Sequence, residues 1–223
     1  MEIARPRPWR VQALVGAVLL ALACGLGAWV FARGNDPFAV DAWWNGILVD
    51  SASNEVVFTF ALVMDRLGGT WVAIYVIPIA GALALVLLRR PWAAVYFLAA
   101  SILSAAAVQV LKRSFGRARP EDILITSDYG SFPSGHAANA ATIAAVVVVL
   151  FARAWVVIVG IAWVVLMAFS RTYLHAHWLS DTLGGALAGA GVALLVAAAF
   201  SVLLAKDRGR PRARALASPE RHG

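Results

Sequence analysis

The sequence predicts an all-α fold, a polytopic membrane bundle of six transmembrane helices, and three observations predict it. Of 223 residues, 61% are hydrophobic and only 14% charged, against about 45–50% and 25% in a soluble domain. The apolar residues gather into runs near the roughly 20 residues that carry a helix across a hydrocarbon core of about 30 Å. Lysine and arginine concentrate at alternate ends of those runs, as the positive-inside rule requires of a multi-pass chain.

Taken in order, residues 1–10 form a basic N-terminus and Val11–Ala32 a first span. Ala21-Leu22-Ala23 ahead of Cys24 resembles a signal-peptide cleavage site. The apolar run outlasts the 7–15 residues of an h-region, however, so a span is the better reading. Cys24 is the single cysteine and has no internal disulfide partner. Residues 33–69 form an extracytoplasmic segment of short interfacial helices. It holds Asp36, Asp41, Asp50, Glu55 and Asp65, Trp43 and Trp44 suit an aromatic belt, and Val56–Met64 is too short to cross.

Spans follow at about 70–88 and 91–111, separated by Arg89-Arg90. The apolar stretch Ala137–Phe169 would measure about 50 Å as one helix, too long for one crossing. A charge at mid-bilayer is costly, so the chain is expected to turn at Arg153 into spans 137–152 and 154–169. The last span is 183–205, where Gly184, Gly185, Gly189 and Gly191 are expected on one face for close packing. Residues 206–223 form a basic tail suited to an anionic inner leaflet.

Six spans put both termini on one side. Placing the N-terminus, Arg89-Arg90, Arg153 and the tail in the cytoplasm gives that side 12 of 19 Lys+Arg but 3 of 12 Asp+Glu. This accounts for the +7 net charge without a nucleic-acid partner.

Lys112, Arg113, Arg117 and Arg119 contradict that rule by crowding an external loop. Three stretches meet on this side if the chain turns at Arg153: Lys112 to Pro120, Pro133-Ser134-Gly135-His136, and Ser170-Arg171 with His177 and Asp181. Each offers something to a phosphate. Lys112, Arg119 and Arg171 supply charge and forked donors. Ser134-Gly135 opens a helix, where free N–H groups and the dipole favour an anion. His177 and Asp181, four apart, share a helix face, so the carboxylate can fix one ring nitrogen while the other attacks phosphorus. His136 can protonate the leaving oxygen and then activate water. Two histidines starting in opposite protonation states predict a bell-shaped pH profile.

These stretches resemble the three signatures of the type 2 phosphatidic acid phosphatase (PAP2) superfamily, which includes vanadium haloperoxidases and glucose-6-phosphatase. Lys, six residues, Arg-Pro matches Lys112 through Pro120. Pro-Ser-Gly-His matches Pro133 through His136, and Ser-Arg, five residues, His, three residues, Asp matches Ser170 through Asp181. The resemblance implies a PAP2/haloperoxidase-like core in which Lys112, Arg119, Ser134, Gly135 and Arg171 bind phosphate. It also implies His136 as acid/base, and His177 as a nucleophile supported by Asp181 that forms a phosphohistidine. Turnover would need no metal or other cofactor. Arg113, Arg117, Ser170 and His175 are expected to make secondary contacts, and Tyr173 and Trp178 to wall the pocket. His175-Ala176-His177 could be taken for a zinc pair, but only His136 is near as a third ligand, and the phosphate site uses it.

A reacting centre at a membrane surface favours a lipid-borne phosphate. The resemblance offers undecaprenyl or another polyprenyl diphosphate, phosphatidic acid and phosphatidylglycerol phosphate. An Ala/Arg/Val-rich, Lys-poor composition suggests a high-GC bacterium and ranks the diphosphate first. Rival readings are a lipid phosphotransferase on the same site and a non-catalytic lipid binder or transporter. The expected location is the plasma membrane, with the site extracytoplasmic.

Overall fold

The structure, a computed structural model, describes residues 8–51, 54–69, 71–126 and 129–207. The expected basic N-terminus up to residue 7 and the tail from 208 lie outside the described residues. The described chain is helical: α1 (Pro8–Ala32), α2 (Ala39–Ser51), α3 (Glu55–Gly68), a short π-helical stretch (Val72–Val76), α4 (Ile77–Leu87), α5 (Pro91–Phe115), α6 (Gly135–Phe151), α7 (Ala154–Tyr173) and α8 (Leu179–Ala199).

Local sequence marks the boundaries. Asn54 caps α3 by accepting from the Val56 and Val57 N–H groups, Pro91 opens α5 where no N–H is needed, and Ser134 caps α6. α5 stops at Gly116, which takes the left-handed conformation (φ 53°) that glycine accepts at little cost.

Four helices, α1, α5, α7 and α8, are long and apolar enough to cross a membrane, and the chain is a multi-pass membrane protein. A fifth span exists if α3 and the helix from Val72 to Leu87, bent by 42° to one another, count as one. α6 is apolar but has only 17 residues. α3 covers the stretch expected as an interfacial helix. It packs along α7, with Ala61 taking the Ser170 hydroxyl (2.9 Å) and Met64 meeting Met167. Its polar end, Asp65, finds partners inside the bundle.

α8 is the central post. Gly16 of α1 lies against Gly191 and Leu195, and Ala23 against Ala188, so α1 runs antiparallel to α8. A Cβ on Gly185 would fall 2.3 Å from the Ser134 carbonyl oxygen, and one on Gly189 2.0 Å from that of Ala138. α6 therefore lies directly on the α8 backbone. The α8 glycines occupy two faces rather than one, because Gly184 meets Phe132 and Gly191 meets α1.

The break at Ala152-Arg153 makes α6 and α7 antiparallel, with Gly160 against Ala144 and Val148. One end of the bundle thus gathers the C-termini of α1, α5 and α7 and the N-termini of α6 and α8. At the other end the Arg90 guanidinium stacks 5.6 Å from the Phe151 ring. There Asp207, placed by the sequence in the basic tail, is buried and accepts from the Ala93 N–H (2.9 Å). Trp43 is exposed like an anchor, whereas the Trp44 indole donates to Thr172 (3.0 Å) and ties α2 to α7.

Candidate active site

His177 sits in the short link between α7 and α8, its side chain 3% exposed. Its Nδ1 donates to the Ser131 carbonyl oxygen at 2.8 Å. A carbonyl can only accept, so the proton is on Nδ1 and the lone pair of the neutral ring is on Nε2. Nε2 in turn faces Arg119 Nη1 at 3.2 Å. Asp181 Oδ2 lies 3.8 Å from Nδ1, beyond hydrogen-bond reach, so the backbone of Ser131 holds the ring. Burial first, then the charges of Arg171, Arg119 and Lys112, keep His177 well below the ordinary histidine range.

Cations surround this ring. Lys112 Nζ (3.0 Å) and Arg119 Nη2 (2.9 Å) both donate to the Gly130 carbonyl, and Arg119 Nη1 also donates to the Ala176 carbonyl. Arg171, 2% exposed, approaches from α7 and pairs with Asp65. On α6, the Ser134 N–H donates to the Asp181 carbonyl (2.9 Å) and its hydroxyl oxygen accepts from Ala137 (3.5 Å). The Gly135 and His136 N–H groups are left as first-turn donors. Lys112, Arg119, Ser134, Gly135, His136, Arg171 and His177 therefore meet at one end of the bundle.

Other expected residues stand elsewhere. Arg117 is fully buried and committed to Asp41 (2.9 Å), Asp181 (2.7 Å) and the Ser180 hydroxyl (2.8 Å). Asp41 also takes the Ser180 N–H (2.8 Å), so these groups join α2 to the start of α8. Asp181 spends its second oxygen on the Trp178 N–H (2.8 Å). Ser170 points to α3, and Arg113 is exposed. His175 donates from Nδ1 to Asn45 (2.8 Å), and burial lowers its pKa while Asp122 opposes the shift. Tyr173 packs with Leu48, Ala61 and Leu174 away from His177, and its hydroxyl donates to the Asn54 carbonyl (3.3 Å). Trp178 covers Arg117, 5.6 Å from its guanidinium.

Sequence reasoning passed over Asp65, Asp41, Ser131 and Gly130. Asp65 carried a signal, since an ionisable residue ending an apolar run in a membrane chain marks a site by default. Ser131 and Gly130 act through carbonyl oxygens, which no side chain betrays. Among the described residues no group of three His, Cys, Asp or Glu is disposed to hold a metal ion. Beside the Leu179–Leu183 turn of α8 lies an apolar groove of about 540 Å³ walled by Leu26, Trp29, Phe38, Val164 and Leu183.

The family model of the PAP2 superfamily matches residues 93–204, which include every signature position. The chain belongs to the PAP2 superfamily. Among curated relatives, an undecaprenyl-diphosphatase of Sulfolobus acidocaldarius is 39% identical over 69 residues, 31% of this chain and 32% of the relative. A lipid A 1-phosphatase of Rhizobium johnstonii is 31% identical over 124 residues, 49% of each. The chain thus spans a third to a half of the length of these relatives. Two solved structures share the PAP2 fold. The transmembrane PAP2 type phosphatidylglycerolphosphate phosphatase of Bacillus subtilis superposes with TM-score 0.68 at 25% identity, covering 81% of this chain and 93% of that one. LpxE of Aquifex aeolicus gives 0.62 at 22% identity, covering 71% and 95%.

Proposed function

We propose that this chain is a membrane lipid phosphatase working through a phosphohistidine, and the observation that carries the reading is His177 itself. A buried imidazole with its proton committed to the Ser131 carbonyl presents a lone pair at Nε2 among Arg119, Lys112 and Arg171. Cations hold a histidine neutral and attract the phosphate it would attack.

In the first step Nε2 forms a bond to phosphorus as the bond to the leaving oxygen breaks, and that oxygen takes a proton from His136. Lys112, Arg119, Arg171 and the first N–H groups of α6 receive the phosphoryl oxygens, and Ser134 contributes its hydroxyl. Asp181, 3.8 Å from Nδ1, offsets the positive charge that the ring acquires. Water then attacks phosphorus, giving its proton to His136, and the N–P bond breaks to release phosphate with His177 restored. These steps draw on cationic side chains where other phosphatases use divalent ions, so turnover is expected to need no metal.

The substrate proposed is a lipid, a polyprenyl diphosphate such as undecaprenyl diphosphate first, with phosphatidic acid and phosphatidylglycerol phosphate as further members of the class. The names of the curated relatives and the apolar groove beside α8 support a hydrocarbon-bearing substrate. Six crossings are proposed, counting the bent α3–α4 pair and α6, with both termini cytoplasmic and the site on the outer face of the plasma membrane. The test is phosphate release from a panel of these lipids in detergent with EDTA. Wild type is expected to turn over and His177→Ala to lose at least about 1,000-fold, the scale of losing a nucleophile. Collapse with chelator would overturn metal independence, and survival of His177→Ala would overturn the nucleophile. Transfer to an added lipid alcohol in preference to water would make the chain a phosphotransferase.

A further inference from the structure

His136 has a carboxylate of its own. Its Nε2 lies 3.2 Å from Asp65 Oδ1 and 3.3 Å from the Asp65 carbonyl oxygen. Both are acceptors, so the Nε2 position carries a proton. The same Oδ1 receives Arg171 Nη1. The end of α3 also walls this edge of the ring. A Cβ on Gly68 would come 3.1 Å from His136 Cδ2, and one on Gly69 3.4 Å from Nε2. With the Nε2–Cδ2 edge closed by α3, the edge bearing Nδ1 is the one left to meet a substrate.

We propose that Asp65 is the positioning residue of the second histidine. It holds the Nε2 proton and steadies the imidazolium, so that Nδ1 gives its proton to the leaving oxygen and later takes one from water. The inference rests on the acid/base role of His136 proposed above. It adds the tautomer, the reacting nitrogen and a residue outside the three signatures. By pairing Arg171 as well, Asp65 sets the spacing between a phosphate-binding guanidinium and the proton donor. The charged and titratable groups facing His136 are Asp65 on α3, Arg171 on α7 and His177 in the α7–α8 link.

The experiment compares two leaving groups on the full chain in detergent. Phosphatidic acid expels an alkoxide that needs a proton, whereas 4-nitrophenyl phosphate expels a phenolate that does not. For Asp65→Asn, kcat on phosphatidic acid is expected to fall about 10–100-fold, part of the 10²–10⁴ carried by general acid catalysis. KM for phosphatidic acid, and kcat/KM on the aryl phosphate, which covers only the steps up to expulsion of the phenolate and not the later attack of water on the phosphohistidine, should stay within about 3-fold of wild type. His136→Ala should show the same selectivity, the double variant should be no worse than His136→Ala alone, and Asp65→Glu should restore part of the loss. Equal losses on both substrates would make Asp65 a structural residue. A rise in kcat/KM would make it a latch on the anion seat, and an unchanged lipid rate would leave it without a role; each result overturns the proposal. Should Asp65→Asn fail to fold, Asp65→Glu in the His136→Ala background carries the same comparison, and additive losses overturn it. His177→Ala, run alongside, must abolish both activities; if it does not, the nucleophile reading has failed independently of Asp65.

Discussion

At the scale of single residues, the site is a set of proton positions fixed by oxygen atoms that can only accept. The Ser131 carbonyl keeps a proton on His177 Nδ1, and cations and burial keep a second proton off Nε2. This has a stability consequence. A histidine whose folded pKa is depressed stays neutral in the native state, while the unfolded chain takes up a proton below about 6.5. Its contribution is constant above that pH. It is lost as pH falls from 6.5 toward the folded value, by at most about 1.4 kcal/mol per unit. Thermal midpoints measured from pH 7.5 to 5 should therefore fall more for wild type than for His177→Gln, and parallel curves would contradict the depressed pKa. The acid limb of kcat/KM should accordingly lie below pH 6.5, which refines the bell shape expected from two unperturbed histidines. Arg117 makes a second residue-scale case. It separates two buried carboxylates, Asp41 and Asp181, so Arg117→Ala should cost about 3–5 kcal/mol in chemical unfolding. A loss below about 1 kcal/mol would show that water reaches this pair.

At the scale of elements, the spacing of the three signatures made most of the site legible before any coordinates, because each signature lies within one turn or helix end. What stayed illegible was contributed by other elements. Asp65 meets Arg171 and His136 from 106 and 71 positions away, and nothing in its own neighbourhood specifies that pairing. The same contact ties α3 to the bundle. Val56–Met64 alone is too short to cross, but α3 runs on past it to Asp65, which pairs with His136 and Arg171, and to the 42° bend that separates it from the helix ending at Leu87. The α8 glycines were legible as packing residues but not as two faces, since the composition of one helix does not identify its neighbours. Their roles predict a graded outcome. A Cβ at Gly189 would meet backbone, which no rotamer relieves, so Gly189→Ala should force α8 from α6 and lower stability by about 1–3 kcal/mol. Activity should fall with it, because Ser134 and His136 ride on α6. Gly25→Ala, with nothing within 4 Å, should change neither, and equal effects of the two would refute the close approach.

At the scale of the whole molecule, the ends of the bundle divide chemically, and the orientation proposed for the chain rests on that division. One end holds Lys112, Arg119, Arg171 and the two histidines. The other holds Arg89-Arg90, stacked on Phe151, the Arg153 turn, and Asp207 on the first turn of α5. α5, at 25 residues, separates them by about 37 Å, more than the hydrocarbon thickness. The positive-inside rule would place both ends in the cytoplasm, since both are basic. The proposed orientation resolves the conflict: the cations at the catalytic end are held by carbonyls and by Asp65, whereas those at the opposite end would be left to meet an anionic leaflet. Single cysteines introduced on a Cys24→Ser background test this. Glu121→Cys, exposed in the loop after Arg119, should react with a membrane-impermeant maleimide on intact cells. Arg153→Cys, exposed at the α6–α7 turn, should react only after lysis or in inverted vesicles. The reverse pattern would put phosphate release in the cytoplasm. Labelling of both from one side would mean that α6 and α7 do not form a transmembrane hairpin, and His136 would then share the end of His177 for some reason other than two crossings.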